Sequence, residues 1–204
     1  MDYEAYRDVQ IRKANADTGD VWADPKTLDI IATYVLKKVP DISFVLCHGS
    51  KSGMESSYLA DKLGCEGLGT DIAPPEHAEG VEEWDFHERR ADWNGRASLI
   101  YTNALDHSYE PKKALDCWVE QLAPGGRIII EHTMLHGPEG ASKSDPFGAH
   151  PLIMPYLVLE WGSGAYCVQE IIVAPHKKPH WKPVDGTRED TDLDIWLYVI
   201  GRTN

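Results

Sequence analysis

The sequence contains no apolar stretch long enough to cross a membrane. Its longest nearly apolar run covers residues 151–159 and is interrupted by Pro155, whereas a spanning helix needs about 20 apolar residues. The chain begins with Met-Asp-Tyr-Glu, which has neither the basic nor the apolar segment of a secretory signal. We therefore expect no membrane association and no secretion.

Cysteine is scarce as well. The sequence has four cysteines, widely spaced and without a Cys-x-x-Cys pair: Cys47, Cys65, Cys117 and Cys167. This spacing excludes a zinc ribbon and gives no sign of a disulfide framework, so it is typical of a reduced chain. The corresponding prediction is a cytoplasmic protein.

Positive charge is in short supply, because 20 Lys and Arg face 33 Asp and Glu and leave a net charge of −13. A protein that binds duplex nucleic acid needs a basic surface to displace counterions, so we expect no nucleic-acid partner. Hydrophobic residues make up 42% of the chain, which is enough for a core. The length predicts a single domain over residues 1–204.

The hydrophobic pattern predicts strands that alternate with helices, which is typical of a doubly wound α/β fold with a mostly parallel sheet. The predicted helices cover 3–16, 25–39, 54–63 and 112–122, and the predicted strands cover 42–47, 67–72, 81–85, 97–102, 127–131, 166–173 and 195–200. No helix is predicted between the last two strands, only a loop over 174–194. We therefore expect an antiparallel terminal hairpin.

A glycine-containing loop follows the first predicted strand, at residues 48–53. Glycines allow a sharp turn and a close approach to a ligand, and the next helix offers free N–H groups. Gly49 and Gly53 do not form a Gly-x-Gly-x-x-Gly motif, because they are four positions apart with Lys51 between them. A simple strand-to-helix turn remains the alternative interpretation.

Two acids follow the next two predicted strands. Asp71 lies 22 positions after Gly49, where a carboxylate can accept both hydroxyls of a ribose. Asp85 lies between Trp84 and Phe86, a combination suited to the amine and the ring face of a purine. The alternatives are a turn-forming aspartate at 71 and ordinary packing of the aromatic residues.

In their order, these segments and two later ones resemble the core of class I S-adenosylmethionine (SAM)-dependent methyltransferases. The resemblance runs from Val45 to about Thr133. It includes Leu105-Asp106-His107, similar to the Leu-[Asp/Glu]-His sequence after strand four, and Leu122-Ala-Pro-Gly-Gly-Arg127, similar to the turn before strand five. The details around the first two motifs resemble a little-characterised bacterial and phage branch of that family.

The resemblance implies a Rossmann-like, seven-stranded sheet and SAM as cofactor. It divides the chain into a helical extension (1–40), a cofactor-binding core (41–133), and substrate-side loops with the hairpin (134–204). The implied cofactor-binding residues are His48, Gly49, Ser50, Lys51, Gly53, Glu55, Asp71, Ile72, Asp85, Phe86, Asn103 and Leu105. Cys47 departs from the family, which has an acid there, and Glu55 is the candidate substitute.

A hydroxyl acceptor needs a base, and histidine has a pKa near neutrality. His107 is the first candidate and His132 the second, with a helix-capping role as the alternative for His107. We expect no resident metal, although Asp106, His107, Glu131 and His132 would offer ligands for a divalent ion.

The expected acceptor is a small molecule or a glycan, with O-methylation preferred to N-methylation. The basic cluster at residues 176–182 predicts an anionic acceptor, with an incidental surface loop as the alternative. The first forty residues are expected to form a lid or a homodimer contact. Two other functions stay open at this point, a nicotinamide-dependent oxidoreductase and a binding module without catalysis.

Overall fold

The computed structural model describes residues 3–16, 22–184 and 187–203. Its helices are α1 (Tyr3–Ala16), α2 (Pro25–Lys38), α3 (Met54–Leu63), α4 (Pro111–Gln121) and α5 (Met154–Gly162). Its strands are β1 (Phe44–His48), β2 (Glu66–Asp71), β3 (Val81–Glu83), β4 (Ala97–Thr102), β5 (Leu122–His132), β6 (Tyr166–Val173), β7 (Lys178–Val184), β8 (Thr187–Leu193) and β9 (Trp196–Arg202).

Seven strands form one sheet, in the order β3-β2-β1-β4-β5-β9-β6. Strands β1 to β5 are parallel to their neighbours, and β9 runs antiparallel to both β5 and β6. The doubly wound, seven-stranded sheet with an antiparallel terminal pair is therefore confirmed. Because β1 to β5 are parallel, their carboxyl ends share one edge of the sheet.

The core has two layers, one on each face of the sheet. Successive residues of β5 alternate between them, since Ile128 and Ile130 pack with α4 and α5 whereas Ile129 packs with α2 and α3. This two-residue period is the pattern expected for a sheet covered on both faces.

Helix α2 begins at Pro25, and the side chain of Asp24 accepts a hydrogen bond from the Lys26 backbone N–H at 2.8 Å, a stabilising helix N-cap. Three of its apolar residues, Leu28, Ile31 and Val35, are completely buried in the core. Although α2 lies within the predicted extension 1–40, its apolar face forms part of the core.

Three differences correct the sequence-based interpretation. The segment predicted as the loop 174–194 contains the antiparallel pair β7 and β8, and the stretch after residue 150 contains α5. Strand β5 also starts five residues before Arg127, with a register shift against β4 between Ala97 and Leu99. Among the described residues, no helix has the length and apolarity that crossing a bilayer requires.

Candidate functional site

The loop between β1 and α3 is held in a tight space at the carboxyl edge of the sheet. Gly49 and Gly53 have φ values of 72° and 76°, a region that glycine adopts without strain. A Cβ at Gly49 would lie 2.5 Å from the Cβ of Ala104, and one at Gly53 would lie 2.7 Å from the Glu79 carbonyl oxygen. Glycine is therefore required at both positions by conformation and by space.

This loop is tied to the end of β2 and to the start of α3. The Ser50 backbone N–H donates to the Thr70 carbonyl at 2.9 Å, and the Ser50 hydroxyl donates to Glu55 Oε2 at 2.8 Å. Glu55 is only 6% exposed. A buried carboxyl group thus lies directly behind the loop.

Asp71 lies at the carboxyl end of β2, where its Oδ1 accepts from the Ala73 backbone N–H at 3.0 Å. Burial raises the pKa of this carboxyl group, and the backbone hydrogen bond and the nearby charge of Lys51 oppose that rise. The Trp84 backbone N–H donates to the Asp71 carbonyl at 2.8 Å. The end of β3 is therefore attached to the end of β2.

Asp85 accepts three hydrogen bonds. They come from the His87 backbone N–H at 2.9 Å, from His87 Nδ1 at 2.7 Å and from the Tyr3 hydroxyl at 2.7 Å. Burial acts to raise the pKa of Asp85, but the bonds from His87 outweigh it and hold that pKa below its usual value. The group is an ionised acceptor at neutral pH.

The glycine loop, Asp71 and Asp85 thus lie together at the carboxyl ends of β1, β2 and β3. The side chains of other residues predicted for cofactor binding are placed differently. His48 and Leu105 are buried in the core, Phe86 packs against that core, and Asn103 donates to the Tyr101 hydroxyl at 3.4 Å. Ile72 lies beside Asp85, in a small cavity between the ends of β2 and β3.

His48 is part of a buried network below the loop. Its Nδ1 lies 2.9 Å from the Thr70 hydroxyl, its Nε2 lies 2.9 Å from Gln121 Oε1, and its ring stacks on Trp118. Burial lowers the pKa of His48 to about 4. The His48 side chain is therefore a neutral imidazole whose contacts hold the end of β1 in place.

His107 follows β4 in a short 3-10 helix, Leu105–His107, and its Nε2 lies 3.2 Å from Asp145 Oδ1 and 3.1 Å from Lys13 Nζ. Lys13 also forms an ion pair with Asp145. Burial lowers the pKa of His107, the charge of Asp106 opposes that effect, and the charge of Lys13 adds to it. A half-buried imidazole between a carboxylate and an ammonium group lies at the edge where an acceptor would bind.

His132 has a different environment from His107. It is 3% exposed, its Nε2 donates to the Ala149 carbonyl at 2.9 Å, and its ring packs against Tyr198. Burial lowers its pKa to about 4, with the neighbouring His136 contributing. These contacts attach the segment around Ala149 to the end of β5 and to the core.

The four residues considered as metal ligands do not form one group. Glu131 accepts from the Tyr101 hydroxyl at 2.7 Å and pairs with Lys178 at 3.3 Å. The described residues instead bring Asp106, His107 and Asp145 together, with ligand atoms within 4.8 Å of one another. The ammonium group of Lys13 contacts two members of that cluster, Asp145 and His107.

Two lysines of the basic cluster are paired with the chain's own acids. Lys177 pairs with Asp194 at 3.3 Å, Lys178 pairs with Glu131, and His176 lies 3.1 Å from the Thr27 hydroxyl. The side chains of residues 180–182 lie outside the described part of the chain.

Sequence reasoning assigned no role to His87, Asp145, Tyr3 or Lys13. His87 is completely buried, with its Nε2 2.6 Å from the Ser108 hydroxyl; its Asp-x-His spacing from Asp85 after a strand could have revealed it. The pairing of Lys13 with Asp145 joins residues 132 positions apart, and no local pattern signals it.

No family model matches this sequence, and no curated protein matches it. The fold has many counterparts among solved structures. The 1,6-didemethyltoxoflavin-N1-methyltransferase of Burkholderia thailandensis, with S-adenosylhomocysteine bound, has a TM-score of 0.64 at 14% identity, and the match covers 98% of this chain and 88% of that one.

Two further structures share the fold. The geranyl diphosphate C-methyltransferase of Streptomyces coelicolor A3(2) has a TM-score of 0.64 at 10% identity, covering 97% of this chain and 98% of that one. A SAM-dependent methyltransferase of Geobacter sulfurreducens has a TM-score of 0.50 at 19% identity, covering 82% of this chain and 74% of that one. This chain therefore has the fold of class I SAM-dependent methyltransferases.

Proposed function

We propose that this protein is a SAM-dependent methyltransferase acting on a small molecule. The observation that carries this proposal is the convergence of the loop Gly49–Gly53, Asp71 and Asp85 at the carboxyl ends of β1, β2 and β3. In open α/β sheets, ligands bind at this edge. Gly49 and Gly53 fix a tight turn at this edge, and the two carboxylates suit a ribose and an adenine amine.

SAM supplies a methyl group on a sulfonium when it is bound, and the chain's residues position the reactants. Asp71 would accept the ribose hydroxyls, and Asp85 would accept from the adenine amine. Glu55 lies behind the loop and offers a carboxylate for the amine of the methionine portion. Such fixed contacts contribute by aligning the reacting groups, which is the main requirement of an in-line displacement.

O-methylation is our preferred reaction, because His107 offers an imidazole for removing a hydroxyl proton. Asp145, 3.2 Å from His107 Nε2, can orient that ring and stabilise its protonated form. His132 is not included as a catalytic residue in this proposal, since its Nε2 is bonded to Ala149. An anionic acceptor is not included either, because Lys177 and Lys178 are paired with carboxylates.

The net charge of −13 supports a small-molecule acceptor over a nucleic acid. The four cysteines are free in the structure, which supports a cytoplasmic location for the enzyme.

Isothermal titration calorimetry with S-adenosylhomocysteine, SAM and NAD tests the proposal. We expect S-adenosylhomocysteine to bind and Asp71→Ala to weaken that binding at least tenfold, because two hydrogen bonds to a charged group are lost. Asp61→Ala is the matched control, since Asp61 is an exposed carboxylate on α3. Binding of NAD alone would indicate an oxidoreductase, and an unchanged affinity in Asp71→Ala would place the ligand elsewhere.

A further inference from the structure

Helix α1 lies across the candidate site and contacts both of its ends. The Tyr3 hydroxyl donates to Asp85 Oδ2 at 2.7 Å, at the end assigned to adenine. Lys13 Nζ lies 3.1 Å from His107 Nε2 and pairs with Asp145, at the end assigned to the acceptor. Ten residues separate Tyr3 from Lys13, which corresponds to about 15 Å along a helix.

The middle of α1 covers the space between these ends. Tyr6 is 2% exposed, and its ring lies 4.5 Å from that of Tyr109 and 5.8 Å from that of His87. Burial raises the pKa of Tyr6, and the charges of Asp85 and, more weakly, Asp71 add to that rise. The Tyr6 ring therefore packs on the segment that carries Asp85 and His87.

Polar contacts, rather than a large apolar face, attach α1 to the rest of the protein. Among residues 3–15, only Tyr6 and Gln10 are buried, and the Gln10 amide donates to the Ser144 carbonyl at 2.7 Å. Helices that bury little apolar surface belong to the parts of a protein that open at low free-energy cost. Such a helix can leave its place without unfolding the sheet.

The cavity beside Asp85 is small where α1 borders it. The cavity beside Asp85 and Ile72, closed on one side by Arg7 of α1, has a volume of about 130 Å³. Sites for small molecules and cofactors usually have about 300–1,000 Å³. With α1 in this position, Tyr3 and Arg7 therefore restrict the space beside Asp85.

We propose that α1 is a closed lid, held by Tyr3 and Lys13, which must leave the strand ends before the adenosyl ligand and the acceptor can bind. This inference depends on the proposed function only for the identity of the ligand. When α1 is closed, the Tyr3 hydroxyl is hydrogen-bonded to Asp85, the acid that would bind adenine. At the same time, Lys13 contacts His107, the proposed base. One helix therefore controls both halves of the site.

A closed state that excludes the ligand lowers the apparent affinity by the fraction of molecules that are open. Removing one of the contacts that hold α1 should therefore tighten ligand binding. Lys13→Met is the decisive variant, because Lys13 lies at the acceptor end and does not touch Asp85. Tyr3→Phe removes the other contact and leaves the aromatic ring in place.

Titration calorimetry with S-adenosylhomocysteine on the full chain tests the lid. We expect Lys13→Met and Tyr3→Phe each to tighten binding about three- to tenfold, the effect of losing one hydrogen bond. Arg12→Met is the matched control, because Arg12 is exposed and contacts Asp8 of the same helix. It should bind as the wild type does.

Hydrogen exchange of the α1 backbone amides provides the second readout. We expect faster exchange when S-adenosylhomocysteine is bound, and also in Lys13→Met without ligand. Slower exchange with ligand, or equal affinity of Lys13→Met and the wild type, would overturn the lid. If no variant and no wild-type chain binds S-adenosylhomocysteine, the proposed function fails. Exchange alone then decides: a faster rate in Lys13→Met than in Arg12→Met supports the lid, and equal rates reject it.

Discussion

At the scale of single residues, His107 is the side chain whose surroundings depend most directly on α1. Its Nε2 faces the Lys13 ammonium and the Asp145 carboxylate, which act on its charge in opposite directions. A neutral imidazole can accept from Lys13, whereas a protonated one can donate to Asp145. The position of α1 therefore influences which form is favoured.

Lys13→Met should raise the pKa of His107. Burial is the main cause that lowers this pKa and Lys13 contributes to it, while Asp106 and Asp145 act in the other direction. Removing the ammonium group leaves the imidazolium beside two carboxylates, which stabilises it. An NMR titration of the His107 ring protons measures the change, with Arg12→Met as control. An unchanged titration would show that Lys13 does not act on the imidazole in solution.

Two glycines with similar backbone angles make a matched pair. Gly64 has a φ of 66° and open space around its missing Cβ, whereas a Cβ at Gly53 would meet the Glu79 carbonyl and Val81. Gly64→Ala should lower the free energy of unfolding by about 1–2 kcal/mol through backbone strain. Gly53→Ala should lower it by a further 1–3 kcal/mol, roughly the cost of overpacking.

Urea denaturation of both variants measures this difference. Gly53→Ala should also weaken binding of S-adenosylhomocysteine, because the turn must shift to make room. Equal losses of stability in the two variants would show that the loop relaxes freely. That result would contradict the close packing of Gly53 against Glu79 and Val81.

At the scale of elements, a buried ion pair connects the start of β7 to the parallel sheet. Lys178 is 9% exposed, its Nζ contacts Glu131 and the Trp22 carbonyl, and it lies over the Trp22 ring. Burial lowers the pKa of Lys178, and Glu131 opposes that effect. This pair links the hairpin to the end of β5 and to the segment before α2.

Lys178→Met should lower the free energy of unfolding by about 3–5 kcal/mol, because it leaves the Glu131 carboxylate buried without its partner. Lys177→Met is the matched control. Its pair with Asp194 is about half exposed on both sides and should contribute less than about 1 kcal/mol. Urea denaturation distinguishes the two, and Glu131→Gln in the Lys178→Met background should recover part of the loss. Equal effects of the two lysine variants would contradict this view of the hairpin.

The elements that the sequence predicted well are those with a strong local pattern. Strand β4 is an apolar run, and α3 begins directly after Gly53. Their bounds could therefore be predicted from the apolar residues and from the position of the glycine. The pair β7 and β8 was missed because prolines, lysines and acids dominate it and it lacks an apolar strand pattern. Helix α5 was missed because Pro155, in its first turn, looks like an interruption rather than a start.

At the scale of the whole molecule, the parallel sheet explains why the site could be located from the sequence. Once strands alternate with helices, the residues that follow each strand must share one edge, which brought the glycine loop, Asp71 and Asp85 together. Side-chain direction was harder to predict, as His48 and Leu105 show. The contacts of α1 could not be derived, because they join residues that are far apart in the sequence, by 82 positions in one case and by 132 in another.

Three buried imidazoles make the stability of the whole protein depend on pH. Burial is the main cause that lowers the pKa values of His48, His132 and His136 to about 4 from 6.5. The unfolded chain binds protons at these groups below pH 6.5, and the folded chain binds them only near pH 4. The contribution of these groups to the free energy of unfolding should therefore be complete above pH 6.5 and decrease as the pH drops toward 4.

Each such group contributes a slope of up to about 1.4 kcal/mol per pH unit inside that window. Asp71 and Asp106, whose pKa values burial raises, act in the opposite direction and flatten the lower end. Urea denaturation at pH 6.5, 5.5 and 4.5 measures the slope. His48→Gln should reduce the slope by the contribution of one protonating group. His77→Gln, at an exposed histidine, should leave it unchanged. A flat wild-type profile would mean that the folded protein takes up protons at the buried imidazoles as readily as the unfolded chain does.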